Sequence, residues 1–231
     1  AIAVHHAVEG LIDVRGNVVD ASDDRRKRIA AHQAEGAAEF PTAPDLISAI
    51  RALEPTAIIG VSTASKAFNR EVIELMSHLN DRPIIYALSN PTSKSECSAE
   101  EAYQWSRGKA IFASGSPFPP VPWEGKVLVS GQGNNAYIFP GVGLGIVASQ
   151  AKRVTDRMFH AAAHALAGCV LESDLEMGRV YPSLTRIREV SAEIAAAVAE
   201  VAFSEGVAGL PRPASVPELV RSTMWEPRYQ N

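Results

Sequence analysis

Three cycles of a helical segment followed by a short apolar run occupy the middle of the chain, and this alternation constrains the fold more than any other feature. Each apolar run lacks a polar face, which is typical of strands in a parallel sheet covered by helices. Asn69 is a predicted N-cap of the second helix, and Ser98 and Glu101 form a predicted capping box for the third. The predicted helices are 45–53, 70–79 and 98–108, and the predicted strands are 57–62, 83–88 and 110–113.

The rest of the chain follows other patterns. Residues 11–13 predict a short strand that ends near Asp13. Four prolines between 117 and 122 predict an extended loop, and 126–129 is long enough only for an edge strand or one arm of a hairpin. From Gly141 onwards the pattern is almost wholly helical. The predicted helices of this part are 148–154, 156–171 and 189–204.

These elements together predict an α/β fold with a Rossmann-like, mostly parallel sheet flanked by helices and a helical C-terminal extension. The expected division is a Rossmann-like domain over 1–145 and a helical region over 146–231 that packs on the sheet. Because the chain begins at Ala1 rather than at a methionine, we expect the N-terminal part of the first domain to be missing.

The charge balance and the cysteines argue against several classes of protein. The chain has 22 basic and 26 acidic residues, and a net charge of −4 supplies no positive field for a nucleic acid. Cys97 and Cys169 are isolated in sequence, so they predict neither a disulfide framework nor a zinc motif, and they favour a reducing, cytoplasmic location. No apolar run has the length needed to cross a bilayer. We therefore expect no nucleic-acid partner and no membrane partner.

Small polar residues follow each of the three predicted strands, in the segments 62–65, 89–92 and 114–117. In an open parallel sheet, ligands bind beyond the carboxyl ends of the strands, where the loops converge. Each segment taken alone also fits a simple turn that leaves a strand. Their recurrence at three strand ends makes a ligand crevice an equally good interpretation.

The segment from Gly131 to Gly145 is the most distinctive in the chain. Glycines let the backbone approach a ligand closely, and the adjacent amides of Asn134 and Asn135 can orient a carboxylate or a hydroxyl without adding charge. The alternative is a glycine-rich loop whose asparagines cap the following helix.

Three other features are weaker candidates. Asp13 stands where a dinucleotide-binding fold places the acid that receives the ribose hydroxyls, but no glycine fingerprint precedes it. His160 and His164 have the spacing of two ligands on one helix face, but without a nearby acidic ligand they are interpreted as packed or surface histidines. Cys97 and Cys169 are interpreted as structural.

Several strings of the sequence resemble the malic enzymes. The resemblance runs in unbroken order over roughly residues 11–206, and its longest strings are specific to that family. The strings are 84–97 with the Ser-Asn-Pro turn, 112–118, the Gly-Gln-Gly-Asn-Asn segment within 131–141, 179–182 and 187–191.

This resemblance implies oxidative decarboxylation of malate to pyruvate and carbon dioxide, with NAD or NADP accepting the hydride and Mg²⁺ or Mn²⁺ polarising the substrate. By the resemblance, Asn90, Asn134 and Asn135 contact the substrate. The cofactor contacts it implies are Asp13, Ser62, Thr63, Asn90 and Asn134. Family members usually have small residues and glycine in the loop 62–66, and the Ala-Ser-Lys of this chain at 64–66 departs from that pattern.

The family's proton-transferring tyrosine and lysine, its acidic metal ligands and its glycine-rich phosphate loop precede the region that this chain matches. We therefore expect no catalytic residue and no metal ligand in the chain, and no turnover by the chain alone. The expected partners are malate and pyruvate, the N-terminal part of the same enzyme, and further copies in a homo-oligomer. A non-catalytic remnant of a dinucleotide domain, used for assembly or regulation, is the alternative that remains open.

Overall fold

The computed structural model describes residues 45–226, which form two compact units. The first unit extends to Gly133 and includes Met177–Val180, and the second comprises Asn134–Glu176 and the chain from Tyr181. The predicted strand ending near Asp13 lies outside the described residues. The predicted division between 145 and 146 stays a prediction about domains.

The first unit contains three helices and six strands within its described part. Its elements in chain order are α1 (Leu46–Leu53), β1 (Ala57–Gly60), α2 (Arg70–Leu79), β2 (Ile84–Ala87), a 3-10 turn (Thr92–Lys94), α3 (Ala99–Trp105), β3 (Ile111–Ser114), β4 (Val121–Trp123), β5 (Lys126–Leu128) and β6 (Gly131–Gln132).

Four of these strands form one parallel sheet in the order β1-β2-β3-β6. The last residues of β1, β2 and β3 lie in register, and Ser114 is also opposite Gln132. β4 and β5 form a separate antiparallel hairpin, as the short apolar run at 126–129 predicts. The α/β class with a mostly parallel sheet is therefore confirmed.

Side-chain caps begin the helices where the sequence predicts them. Asn69 Oδ1 accepts from the Val72 amide at 3.1 Å. Ser98 Oγ accepts from the Glu101 amide at 3.2 Å, and Glu101 Oε2 accepts from the Ser98 amide at 2.8 Å. Because these caps satisfy amides that would otherwise lack a partner, they fix the start of α2 and α3 and direct their apolar faces to the sheet. The core of this unit contains Ile50, Ile58, Val72, Ile73, Met76, Ile85 and Phe112.

The second unit is helical within its described residues. Its elements are a 3-10 turn (Asn135–Tyr137), α4 (Phe139–Ser149), α5 (Asp156–Gly168), α6 (Glu172–Glu176), a 3-10 turn (Leu184–Arg186), α7 (Ile187–Ser204) and α8 (Val216–Thr223). None of the helices between 45 and 226 is long and apolar enough to cross a membrane.

The glycines of α4 serve helix packing. A Cβ atom on Gly141 would lie 2.6 Å from the Cβ of Ile194, and one on Gly145 would lie 2.6 Å from the carbonyl oxygen of Ala195. Both contacts are shorter than side-chain atoms tolerate, so glycine at these two positions allows α4 to approach α7 closely.

Three element predictions are wrong in detail. The helix predicted over 148–154 is in fact α4, which ends at Ser149 because Gln150 takes a left-handed conformation at φ 50°. α3 ends at Trp105 instead of reaching 108, since Arg107 and Gly108 are also left-handed. The start of the glycine-rich segment, predicted as a loop, forms β6 instead. β6 forms because its main chain pairs with β3. A strand of two residues is too short to show a side-chain periodicity in the sequence.

Candidate functional site

The carboxyl ends of four parallel strands lie along one edge of the first unit, which we name the strand-end edge. It comprises the loop after β1 (61–68), the loop after β2 (88–95), the loop after β3 (115–117) and Gly133. Backbone bonds extend the pairing into these loops, from the Leu88 amide to Gly60 O at 2.9 Å and from the Gly115 amide to Ala87 O at 3.1 Å. The three polar segments predicted at strand ends therefore follow neighbouring strands on one edge.

Asn90 joins the loops after β2 and β3. Its Oδ1 accepts a hydrogen bond from the Ser116 hydroxyl, and its Nδ2 donates to Leu88 O at 3.4 Å. A Cβ on Gly115 would lie 2.2 Å from Leu88 O and 2.8 Å from Asn90 Nδ2, so only glycine fits beneath this amide. The side chain of Asn90 is exposed, and the peptide bond that joins Asn90 to Pro91 is cis. The structure thus holds this predicted site residue in one orientation at the edge.

Ser62 and Thr63 lie in the loop after β1, and both are exposed. The Thr63 amide donates to Ser89 Oγ at 2.9 Å, and its hydroxyl donates to Ser62 O at 2.7 Å. Thr63 and Lys66 take left-handed backbone angles, φ 57° and φ 62°. Since glycine adopts these angles most easily, Thr63 and Lys66 hold a backbone conformation that is uncommon for their residue types.

Lys66 has a partner of its own in this chain. Its Nζ donates to both carboxylate oxygens of Glu101, at 2.6 and 2.7 Å. Partial burial acts to raise the pKa of Glu101, but the bonds from Lys66 and from the Ser98 amide outweigh it and lower the pKa. Lys66, one of the three residues at 64–66 that depart from the family pattern, therefore anchors the loop to α3.

Glu96 is the residue that sequence reasoning missed. It is fully buried and accepts from the Ser89 hydroxyl at 2.5 Å and from the Ser89 amide at 3.4 Å. It lies in the string 84–97 that resembles the malic enzymes, but the resemblance implies no role for it. From sequence, a glutamate between a serine-rich turn and Cys97 is expected to be exposed, because nothing in the sequence pattern indicates that the turn covers it.

Asn134 and Asn135 begin the second unit, and both are exposed. Asn134 Oδ1 accepts from the Ala136 amide at 2.9 Å, so Asn134 caps the 3-10 turn, whereas the following helix α4 begins without a side-chain cap. Tyr137 is buried, and its hydroxyl donates to Pro182 O at 2.7 Å. The ring of Tyr137 stacks on that of Tyr181, with centroids 5.4 Å apart. This anchor holds the turn that carries both asparagines.

The remaining sequence candidates are Asp13, the two histidines and the two cysteines. Asp13 lies outside the described residues. His160 and His164 are exposed on α5 with ring centroids 4.5 Å apart. Cys97 and Cys169 are buried thiols, and burial raises the pKa of each.

No group of metal ligands marks another site in the part of the chain that the structure describes. Between residues 45 and 226, no three His, Cys, Asp or Glu side chains are grouped to hold a metal ion. An open depression of about 620 Å³ occurs in the second unit, lined by Arg153, Val154, Thr155, Asp156 and Glu205. We favour the strand-end edge, because loops and amides converge there, whereas Glu205 already pairs with Thr155 and Arg157.

The fold and the strand-end edge define a Rossmann-like α/β domain of the nucleotide-binding class. Residues 8–203 match the family model described as "Malic enzyme, NAD binding domain". The chain therefore belongs to the malic enzyme NAD-binding domain family.

Individual relatives agree with this assignment. The chain is 52% identical to NADP-dependent malic enzyme 1 of Arabidopsis thaliana over 95% of its own length and 38% of that protein. It is 49% identical to the NADP-dependent malic enzyme of Phaseolus vulgaris over 96% of its own length and 37% of that protein. The crystal structure of the malic enzyme from Pyrococcus horikoshii superposes with a TM-score of 0.58 at 28% identity, covering 78% of this chain and 36% of that one. The chain thus spans well under half the length of these relatives.

Proposed function

We propose that this chain supplies the cofactor-binding and substrate-positioning portion of a malic enzyme that converts malate to pyruvate and carbon dioxide and reduces NADP or NAD. The observation that carries the proposal is the strand-end edge, where polar loops follow three neighbouring parallel strands in a chain of the malic enzyme family. The two plant relatives named above are NADP-dependent, which favours NADP.

Exposed hydroxyl and amide groups along the edge fit a dinucleotide. Ser62, Thr63 and Asn90 offer side-chain donors and acceptors without charge, which suits ribose hydroxyls and a nicotinamide carboxamide. Asn134 and Asp13 are the further proposed cofactor contacts. When bound, the cofactor supplies the hydride acceptor.

The three asparagines are also the proposed malate contacts. In Asn90, Oδ1 already accepts from Ser116, so Nδ2 is the group that turns to a substrate oxygen. In Asn134, Oδ1 caps the 3-10 turn and Nδ2 is again the donor left for substrate. Asn135 follows on the same turn, held by the Tyr137 anchor. Neutral donors of this kind orient a carboxylate and contribute by positioning.

Proton transfer and metal binding are proposed to lie elsewhere in the enzyme. The described residues offer no grouped ligand set that would fit Mg²⁺ or Mn²⁺, so no step is assigned to a metal in this chain. The partners proposed for the chain are malate, pyruvate, the remaining part of the enzyme and further copies of it. A cytoplasmic location is part of this proposal.

A malate-dependent assay of a protein that joins this chain to the remaining length of its relatives tests the proposal. We expect reduction of NADP, with NAD compared in parallel, and no turnover by the 231-residue chain alone. Absence of turnover by the longer protein, together with its failure to bind either dinucleotide, would favour the non-catalytic remnant. Turnover by the chain alone would contradict the division of roles.

A further inference from the structure

We propose that Glu96 is a positioning residue of the strand-end edge: its buried carboxylate holds Ser89, and Ser89 in turn holds the backbone amide of Thr63. The inference rests on the proposed function, since Thr63 and Asn90, which adjoins Ser89 in sequence, are proposed cofactor contacts. Glu96 acts through Ser89 and is not proposed to touch cofactor or substrate.

The carboxylate of Glu96 is bound in a way that fixes the Ser89 hydroxyl. Glu96 is 0% exposed and Ser89 is 4% exposed. A buried carboxylate is unfavourable unless hydrogen-bonded, and here the Ser89 hydroxyl and amide both donate to it. A hydroxyl has a single proton, so once that proton is directed at Glu96 only the oxygen lone pairs remain. One of them accepts the Thr63 amide at 2.9 Å.

Gly60 makes room for this carboxylate. A Cβ at Gly60, the last residue of β1, would lie 2.4 Å from Glu96 Cδ and 2.8 Å from Glu96 Oε1. Any side chain at Gly60 therefore displaces Glu96 or distorts the strand. Two features thus fix the position of the carboxylate: its hydrogen bonds with Ser89 and the space left by the missing Cβ of Gly60.

The loop after β1 depends on this link at its tip. Its far end is attached by backbone bonds, from Lys66 to Ser95 O at 3.2 Å and from Phe68 to Glu96 O at 3.1 Å. Thr63, at φ 57°, is held through Ser89. A left-handed threonine is unfavourable without such a restraint, so loss of the link should release the tip that carries Ser62 and Thr63.

Two substitutions in the 231-residue chain test the proposal, Glu96→Gln and Gly60→Ala. Glutamine keeps the size of glutamate but replaces one of the two accepting oxygens with an NH2 donor. Either the Ser89 amide then faces a donor, or the Ser89 hydroxyl must turn to accept from the glutamine, and in both cases the present bonding of Ser89 is lost. The matched controls are Glu100→Gln, at an exposed position on α3, and Gly168→Ala, where an added Cβ meets nothing within 4 Å. The measurements are amide hydrogen exchange at Thr63, NADP affinity by NMR titration, and Tm.

We expect Thr63 to exchange about tenfold faster in both variants and NADP affinity to fall about fivefold, with both controls unchanged. Unchanged exchange at Thr63 overturns the proposal, and so does unchanged NADP affinity together with a lowered Tm, which marks a merely structural glutamate. If neither the wild-type chain nor the longer protein that contains it binds NADP, the proposed function fails instead, and exchange at Thr63 still decides whether Glu96 holds it. If Glu96→Gln fails to fold, Ser89→Ala, which keeps the carboxylate and removes the hydroxyl, gives the same readouts.

Discussion

The hydroxyl of Tyr137 donates a 2.7 Å hydrogen bond to the carbonyl oxygen of Pro182, 45 residues further along the chain. The bond connects two strings that resemble the malic enzymes, the Gly-Gln-Gly-Asn-Asn segment and 179–182. It is buried, and stacking of Tyr137 on Tyr181 accompanies it. The turn that carries Asn134 and Asn135 is therefore fixed by an anchor outside the asparagines themselves.

Tyr137→Phe removes this hydroxyl and keeps the ring. We expect the free energy of unfolding to fall by about 1 kcal/mol, because the buried carbonyl of Pro182 loses a partner. Urea denaturation followed by circular dichroism measures the change. Tyr181→Phe, which retains the stacked ring, is the matched control, and equal stability of Tyr137→Phe and wild type would contradict the anchor.

Tyr103 presents the opposite case. Its hydroxyl is buried without a hydrogen-bond partner among the residues that the structure describes, and burial raises its pKa to about 12. A buried unpaired hydroxyl is destabilising, so we expect Tyr103→Phe to raise the free energy of unfolding by about 1 kcal/mol. The same denaturation experiment measures it, and a clear loss of stability would show that the hydroxyl is paired in solution.

Much of this architecture follows from local sequence, and the site follows less completely. The capping residues Asn69 and Ser98 and the apolar runs predict α2, α3 and the parallel strands, because these signals act within one turn or one strand. β6 has only two residues and depends on pairing with β3, so local pattern cannot predict it.

The site residues divide in the same way. Asn90 follows a strand, and because ligand-binding loops of parallel sheets lie beyond the carboxyl ends of the strands, the sequence predicts its place on the strand-end edge. Glu96 is buried only because Gly60 and Ser89, distant in sequence, close around it. The resemblance to malic enzymes named the strings, but it assigned Glu96 no function.

Glu101 gives the stability of the chain a predictable dependence on pH. Its pKa lies below the ordinary value of 4.5: partial burial acts to raise it, but hydrogen bonds from Lys66 and Ser98 outweigh that effect. The stabilisation is fully present above 4.5 and is lost as pH falls through the lower pKa of the folded state.

Glu101→Gln tests this dependence. We expect the variant to be less stable than wild type by about 1 kcal/mol at neutral pH, and the difference to shrink in acid. Unfolding by urea over a pH series measures both chains, with Glu100→Gln as the control at an exposed neighbour. A difference that stays constant from neutral to acid pH would refute an ionised partner.

Asn90→Ala tests whether Asn90 orients the substrate or only supports the fold. In the longer enzyme that contains this chain, we expect kcat/KM for malate to fall about tenfold to a hundredfold, because an orienting contact worth about 1–3 kcal/mol is removed. Stability should change little, since Asn90 is exposed.

Asn80→Ala is the matched control. The side-chain amide of Asn80 donates to Pro55 O at 2.9 Å and to Met76 O at 3.1 Å at the end of α2. Its removal should therefore lower Tm and leave kcat/KM near the wild-type value. Full activity of the Asn90 variant would remove Asn90 from the proposed site.

Titration of the isotope-labelled 231-residue chain with NADP, followed by amide NMR shifts, tests the central claim most directly. The method detects weak association, so it does not require the remaining part of the enzyme. We predict saturable shifts that cluster at Ser62, Thr63, Asn90 and Ser116 on the strand-end edge. Shifts confined to the depression around Arg153 and Glu205, or no shift at any NADP concentration, would contradict the claim that this edge binds the cofactor.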